Sequence, residues 1–98
     1  MTMHNPPHPG EFISDVYLLP FGLTAKVLAA KLKVSGSTVG RILSGQSRVS
    51  PEMALRFSKA LGRSPESWLA MQDNYDLWRA RQHVNLNDVE EMSFDERG

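Results

Sequence analysis

The chain has 98 residues, 41% hydrophobic and 22% charged, which makes one small domain whose limited core is expected to lean on a partner subunit. It has no cysteine, which excludes a disulfide framework, thiol catalysis and thiolate metal sites. The formal net charge is zero, but it is unevenly spread. Residues 24–63 hold Lys26, Lys31, Lys33, Arg41, Arg48, Arg56, Lys59 and Arg63 against the single acid Glu52. Residues 85–98 hold Asp88, Glu90, Glu91, Asp95 and Glu96 against Arg97. A basic middle between acidic flanks suits a surface that binds an anion.

The start, residues 1–9, is rich in Pro and His and reads as a flexible segment. Phe12, Ile13, Val16, Leu18 and Leu19 form a helical stripe over residues 10–19, which Pro20 stops. Thr24 caps a second helix with Val27, Leu28 and Leu32 on its apolar face. Ser35 caps a third, running through Val39, Ile42 and Leu43 to Gly45. Ser50-Pro51-Glu52 opens a fourth helix that ends at Gly62, and Ser64-Pro65-Glu66 opens a fifth through about Arg81. From residue 83 the chain is an acidic tail. No strand or repeat is legible, so the expected fold is all-α, with five short helices over residues 10–82.

The second and third helices carry the functional signal. Ala29 is the small residue that a helix-turn-helix crossing needs, and Leu28, Leu32, Val34, Val39 and Ile42 have the spacing to lock it. Gly36, Ser37, Gly40 and Arg41 share the third helix's other face, which Ser44 extends, and bulky apolar side chains are absent there. Such a face is what enters the DNA major groove.

Residues 23–62 resemble the helix-turn-helix of the lambda-repressor-like (XRE) family. The flanks narrow this. Pro9-Gly10-Glu11-Phe12-Ile13, Ser50-Pro51-Glu52-Met53-Ala54-Leu55-Arg56, and Ser64-Pro65-Glu66-Ser67-Trp68-Leu69-Ala70-Met71-Gln72 followed by Tyr75-Asp76-Leu77-Trp78 are similar to HigA-type antitoxins, also called virulence-associated protein I. The resemblance covers about residues 9–79. It implies a dimeric, sequence-specific repressor of its own operon that neutralises a HigB-type ribonuclease toxin. A stand-alone repressor is the alternative, and a protein-interaction module with a decayed DNA surface is a third reading. Two departures stand out. Lys33 occupies a turn position that is often Gly in this motif, because a left-handed backbone suits it. Gly36 and Gly40 replace the longer base-reading side chains of many relatives.

Arg41 is the leading candidate for base readout, with phosphate contact as its alternative. Ser37 and Thr38 suit base edges or phosphate. Ala25 and Lys26 open the helix that crosses the backbone, where amides meet a phosphate. Ser35 is first a cap and second a DNA contact. The resemblance places a phosphate contact at Arg48, whereas Lys31 and Lys59 read as solvated. Neutralising about four to six phosphates per dimer gives a log K against log salt slope of roughly −4 to −5. Trp68, Tyr75 and Trp78 on the fifth helix are the candidate dimer contacts. Tyr75 and Trp78 lie farther out, and Trp68 also suits packing on Met53, Ala54, Phe57 and Leu61. The acidic tail reads as solvated, with contact to a basic toxin as the sharper alternative.

His4, His8 and His83 lack ligand spacing, so no metal or other cofactor is expected. No nucleophile elbow, phosphate loop or paired-carboxylate motif is present, and the expected function is binding rather than catalysis. No apolar run approaches the roughly 18 residues of a membrane span and no secretory leader is recognisable. A cytoplasmic protein is the expectation.

Overall fold

The structure is a computed structural model that describes residues 5–95. Five α-helices form in chain order, with no strand among the described residues: α1 (Pro9–Ile13), α2 (Ala25–Leu32), α3 (Gly36–Leu43), α4 (Pro51–Leu61) and α5 (Pro65–His83). The all-α, five-helix architecture is the expected one.

Four helices start on the same local device. The hydroxyls of Thr24, Ser35, Ser50 and Ser64 accept the amides of Val27, Thr38, Met53 and Ser67, each three residues on. This satisfies an amide that the helix itself leaves unpaired. At the end of α2 the chain turns through Lys33, at φ 61° and ψ 43°. Lys33 N–H donates to the Ala30 carbonyl and Val34 N–H to the Ala29 carbonyl, a Schellman closure. Arg56 on α4 donates to the Leu32 carbonyl at 2.7 Å, supplying another group that the end of α2 lacks.

Two expectations are corrected at the N-terminus. Pro9 already opens α1, and His8 is buried as its cap, so the flexible segment does not extend to residue 9. Residues 1–4 of that segment lie outside the described residues. The first helix is also not one regular helix to Leu19. After α1 the chain makes a wider π-helical turn at Ser14–Leu18 and a 3₁₀ turn at Leu19–Phe21. Pro20 has no N–H for a regular bond and its ring crowds the preceding turn. The coil loosens ahead of it, and Leu19 N–H reaches back five residues to the Ser14 carbonyl.

Ile13, Leu18, Leu28, Ala29, Leu32, Val39, Ile42, Val49, Met53, Ala54, Phe57 and Trp68 are buried together. The crossing residues Leu28, Ala29, Leu32, Val39 and Ile42 are all in this set, and Val34 packs on its edge. α1 lies against the C-terminal end of α3. A Cβ on Gly10 would overlap the Ile42 carbonyl oxygen and sit 2.7 Å from Leu43 Cα. Only glycine permits this backbone approach, which seats α3 on the body of the domain. From Val84 to Asp95 every residue is exposed; residues 96–98 of the acidic tail lie outside the described residues.

Candidate nucleic-acid interface

The site is built from the start of α2 and the outer face of α3. Val39 and Ile42 turn into the core, leaving Gly36, Ser37, Arg41 and Ser44 exposed and Gly40 half-exposed on the other side. Gly36 and Gly40 face open space, since a Cβ built on either would meet nothing within 4 Å. Lys26 at the start of α2 is exposed and Ala25 beside it half-buried. Ser35 Oγ lies 2.8 Å from Thr38 Oγ1 and 3.2 Å from Ser37 Oγ, so three hydroxyls cluster over the first turn of α3. The side chains of Lys26 and Arg41 make no ion pair among the described residues. No Asp or Glu occurs between Asp15 and Glu52. This face is therefore cationic, uncrowded and rich in hydroxyl and amide donors, which suits polyanion recognition.

Three of the eight cations of the basic middle are engaged within the chain. Arg56 is committed to Glu52 and the Leu32 carbonyl. The Arg63 guanidinium lies 5.2 Å over the Phe12 ring and 5.7 Å from that of Trp68. Arg48 follows α3 in the loop, where Nε donates to Asp76 Oδ2 at 2.7 Å and Nη2 sits 3.5 Å from Asp73 Oδ1. Its side chain stays 60% exposed, so the carboxylates orient the guanidinium without enclosing it. Charge counting along the sequence cannot see the partners of Arg48, because Asp73 and Asp76 come from α5.

A buried polar chain ties that loop to α5. Gln72 is 1% exposed; its Oε1 accepts the Val49 amide at 2.8 Å and its Nε2 donates to Asp76 Oδ1 at 3.0 Å. His8 closes the other side. Its Nδ1 accepts the Gly10 amide at 2.9 Å, the Ser47 backbone lies beside its ring, and the ring edge meets Tyr75 at 5.0 Å between centroids. Sequence reading assigned no role to Gln72 or His8. Gln72 lies on α5 one turn after Trp68, but its burial depends on the loop that covers it.

Burial holds the His8 pKa below its ordinary value, against the opposing pull of the Ser47 backbone, Asp76 and Glu11. The folded state therefore favours the neutral ring, whose Nδ1 must stay unprotonated to cap α1. The resulting stability is fully present above the unfolded pKa of about 6.5 and is lost as pH falls through the lower folded value. Chemical denaturation across this range should show wild type losing stability on acidification. His8→Asn keeps a cap acceptor and should show a shallower loss. Equal pH dependence in both would remove His8 as the cause.

The aromatic residues of α5 separate. Tyr75 and Trp78 are half-buried, with ring centroids 6.3 Å apart, and Tyr75 also packs against His8. Trp68, named from sequence as a dimer contact, is fully buried in this chain's own core, where Nε1 donates to the Gly62 carbonyl at 3.0 Å. That removes it from any outward-facing surface. Of the histidines, His8 is the cap, His83 ends α5 and His4 lies outside the described residues; no cluster of potential metal ligands occurs among the described residues. No single helix is long and apolar enough to cross a membrane among the described residues.

The paired helices, their crossing and the cationic outer face define a helix-turn-helix protein. The Helix-turn-helix family model matches residues 17–68, and the chain belongs to that family. It is 40% identical over 91 residues to virulence-associated protein I of Dichelobacter nodosus, covering 92% of this chain and 84% of the relative. Its structure is similar to that of antitoxin GraA, with a TM-score of 0.86 and 35% identity over 92% of this chain and 100% of that one. It is also similar to the Pseudomonas aeruginosa antitoxin HigA solved with the higBA promoter, with a TM-score of 0.80 and 32% identity over 91% of this chain and 97% of that one.

Proposed function

We propose that this chain is a sequence-specific DNA-binding antitoxin that represses its own operon and neutralises a ribonuclease toxin. It does so through two binding activities, without catalysis. The observation that carries the reading is the bare outer face of α3, cationic at Arg41 and free of acids. The same fold, over nearly the whole chain, occurs in an antitoxin solved with promoter DNA.

In this reading two copies place their α3 helices in successive major grooves, about 34 Å apart. Arg41 reads a guanine edge, and Ser37 and Thr38 contact bases or phosphate. The amides at Ala25 and Lys26, and the Ser35 end of α3, meet phosphates. Arg48, oriented by Asp76, offers its exposed edge to the backbone. Packing does not require glycine at 36 or 40, and Gly40, inside the helix, costs roughly 1 kcal/mol relative to alanine. Their role is to let the DNA approach the backbone of α3. Tyr75 and Trp78 form the contact between the two copies.

The test is binding to the chain's own upstream DNA against a scrambled duplex at two salt concentrations. Specific binding should survive the higher salt, and Arg41→Ala should lose about 1–3 kcal/mol at one base position. Equal, salt-sensitive binding to both duplexes would overturn the operator reading, and unchanged affinity in Arg41→Ala would overturn the role given to Arg41.

A further inference from the structure

Two surfaces of this chain are left unpartnered by the DNA reading, and they complement each other. One is a furrow between α2 and α4. At one end it is an apolar depression of ≈ 380 Å³ lined by Tyr17, Leu23, Val27, Lys31, Ala60 and Leu61. It continues past Lys31 and Ala60 into a second depression, of ≈ 340 Å³, bordered by Lys33, Arg56 and Lys59. Leu23 and Val27 are exposed to 45% and 43%, an apolar face with a cationic continuation. Val27 and Lys31, four residues apart, share a strip of α2 distinct from the residues assigned to DNA.

The other surface is the tail. Val84, Leu86, Val89, Met92 and Phe94 are 56–83% exposed, an unusual density of bare apolar side chains for so short a stretch. Asp88, Glu90 and Glu91 are interleaved with them. The tail thus combines apolar anchors with negative charge, and the furrow combines apolar walls with positive charge.

We infer that the acidic tail, residues 84–95, docks in the α2–α4 furrow of a second copy of the chain. Reach argues for another copy rather than its own. α5 starts shortly after Leu61, at the edge of the furrow, and its 19 residues carry the chain about 28 Å away. The tail then continues outward, giving an envelope of 62 × 26 × 25 Å. Docking on its own furrow would require the tail to reverse and run back along the whole of α5. A neighbouring copy needs no such reversal. The contact is separate from the Tyr75–Trp78 surface and does not depend on DNA.

The absence of cysteine allows a clean test on the full chain. A nitroxide is placed on the tail through Ser93→Cys, and this chain is mixed with ¹⁵N-labelled chain bearing no spin label. The expected result is paramagnetic broadening at the amides of Leu23, Val27, Lys31 and Leu61 in the labelled partner. It should fall several-fold at about 0.5 M salt, where surface charge is screened. Glu90→Lys with Glu91→Lys in the tagged chain should abolish it, and Lys31→Glu with Lys59→Glu in the ¹⁵N chain should restore it. All these positions are exposed, so the fold is retained. Broadening only when tag and ¹⁵N lie in the same molecule would show docking within one chain and overturn the proposal. Broadening away from the furrow, or none, would overturn it as well.

Discussion

Gly10→Ala should cost the chain about 3 kcal/mol of stability, the upper part of the range for overpacking. The added methyl would overlap the Ile42 carbonyl and crowd Leu43 Cα, both of them backbone atoms. A flexible side chain could swing aside, but here one of two helices must move. α1 would lift from the end of α3, taking the His8 cap with it and loosening the support of the proposed reading helix. Urea denaturation gives the size of the loss directly. Gly40→Ala is the matching control, because its methyl meets open space and removes a helix-interior glycine. It should raise stability by roughly 1 kcal/mol. A neutral Gly10→Ala would mean that α1 and α3 are not in backbone contact.

Trp68→Ala should be at least as damaging, at about 3–5 kcal/mol. The indole is 0% exposed, with ring centroids 5.4 Å from Phe57, 6.0 Å from Phe12 and 6.2 Å from Tyr17. Its N–H bond to the Gly62 carbonyl also pins the α4–α5 turn, where Gly62 has φ 97°. Truncation opens a cavity and leaves that carbonyl without its partner. The chain should unfold rather than separate into intact monomers. Trp78→Ala should do the reverse, leaving the fold largely intact and weakening self-association. Sedimentation and denaturation measured on both variants separate the two roles. A folded, monomeric Trp68→Ala would restore Trp68 to the interface.

What was legible in the sequence was local. The hydroxyl caps at Thr24, Ser35, Ser50 and Ser64 act over three residues, and each is where its side-chain chemistry indicated. The left-handed turn at Lys33 was also legible, because its place is fixed by the end of one helix and the cap of the next. So was the inward face of the helix pair, since burial of Leu28, Leu32, Val39 and Ile42 follows helical spacing. What was not legible depended on contacts distant in sequence. Trp68 and Trp78 were grouped as candidate dimer contacts on one helix, but α4 and the α1 region cover only the first turns of α5. The need for glycine at position 10 comes from the backbone of Ile42 and Leu43, 32 and 33 residues farther on. The resemblance offers Arg48 as a phosphate contact, and nothing near it in sequence announces that Asp73 and Asp76 of α5 lie beside it.

The bond from Gln72 gives one loop amide the behaviour of a core amide. Val49 lies outside any helix, where backbone N–H groups ordinarily trade their hydrogen for deuterium quickly. Its acceptor, however, is a buried side chain on α5, and Val49 itself is 0% exposed. Exchange at this one position therefore requires α5 to part from the loop. The Val49 amide serves as a clock for that opening, timing a movement at the rear of the domain from a residue six positions beyond the end of α3.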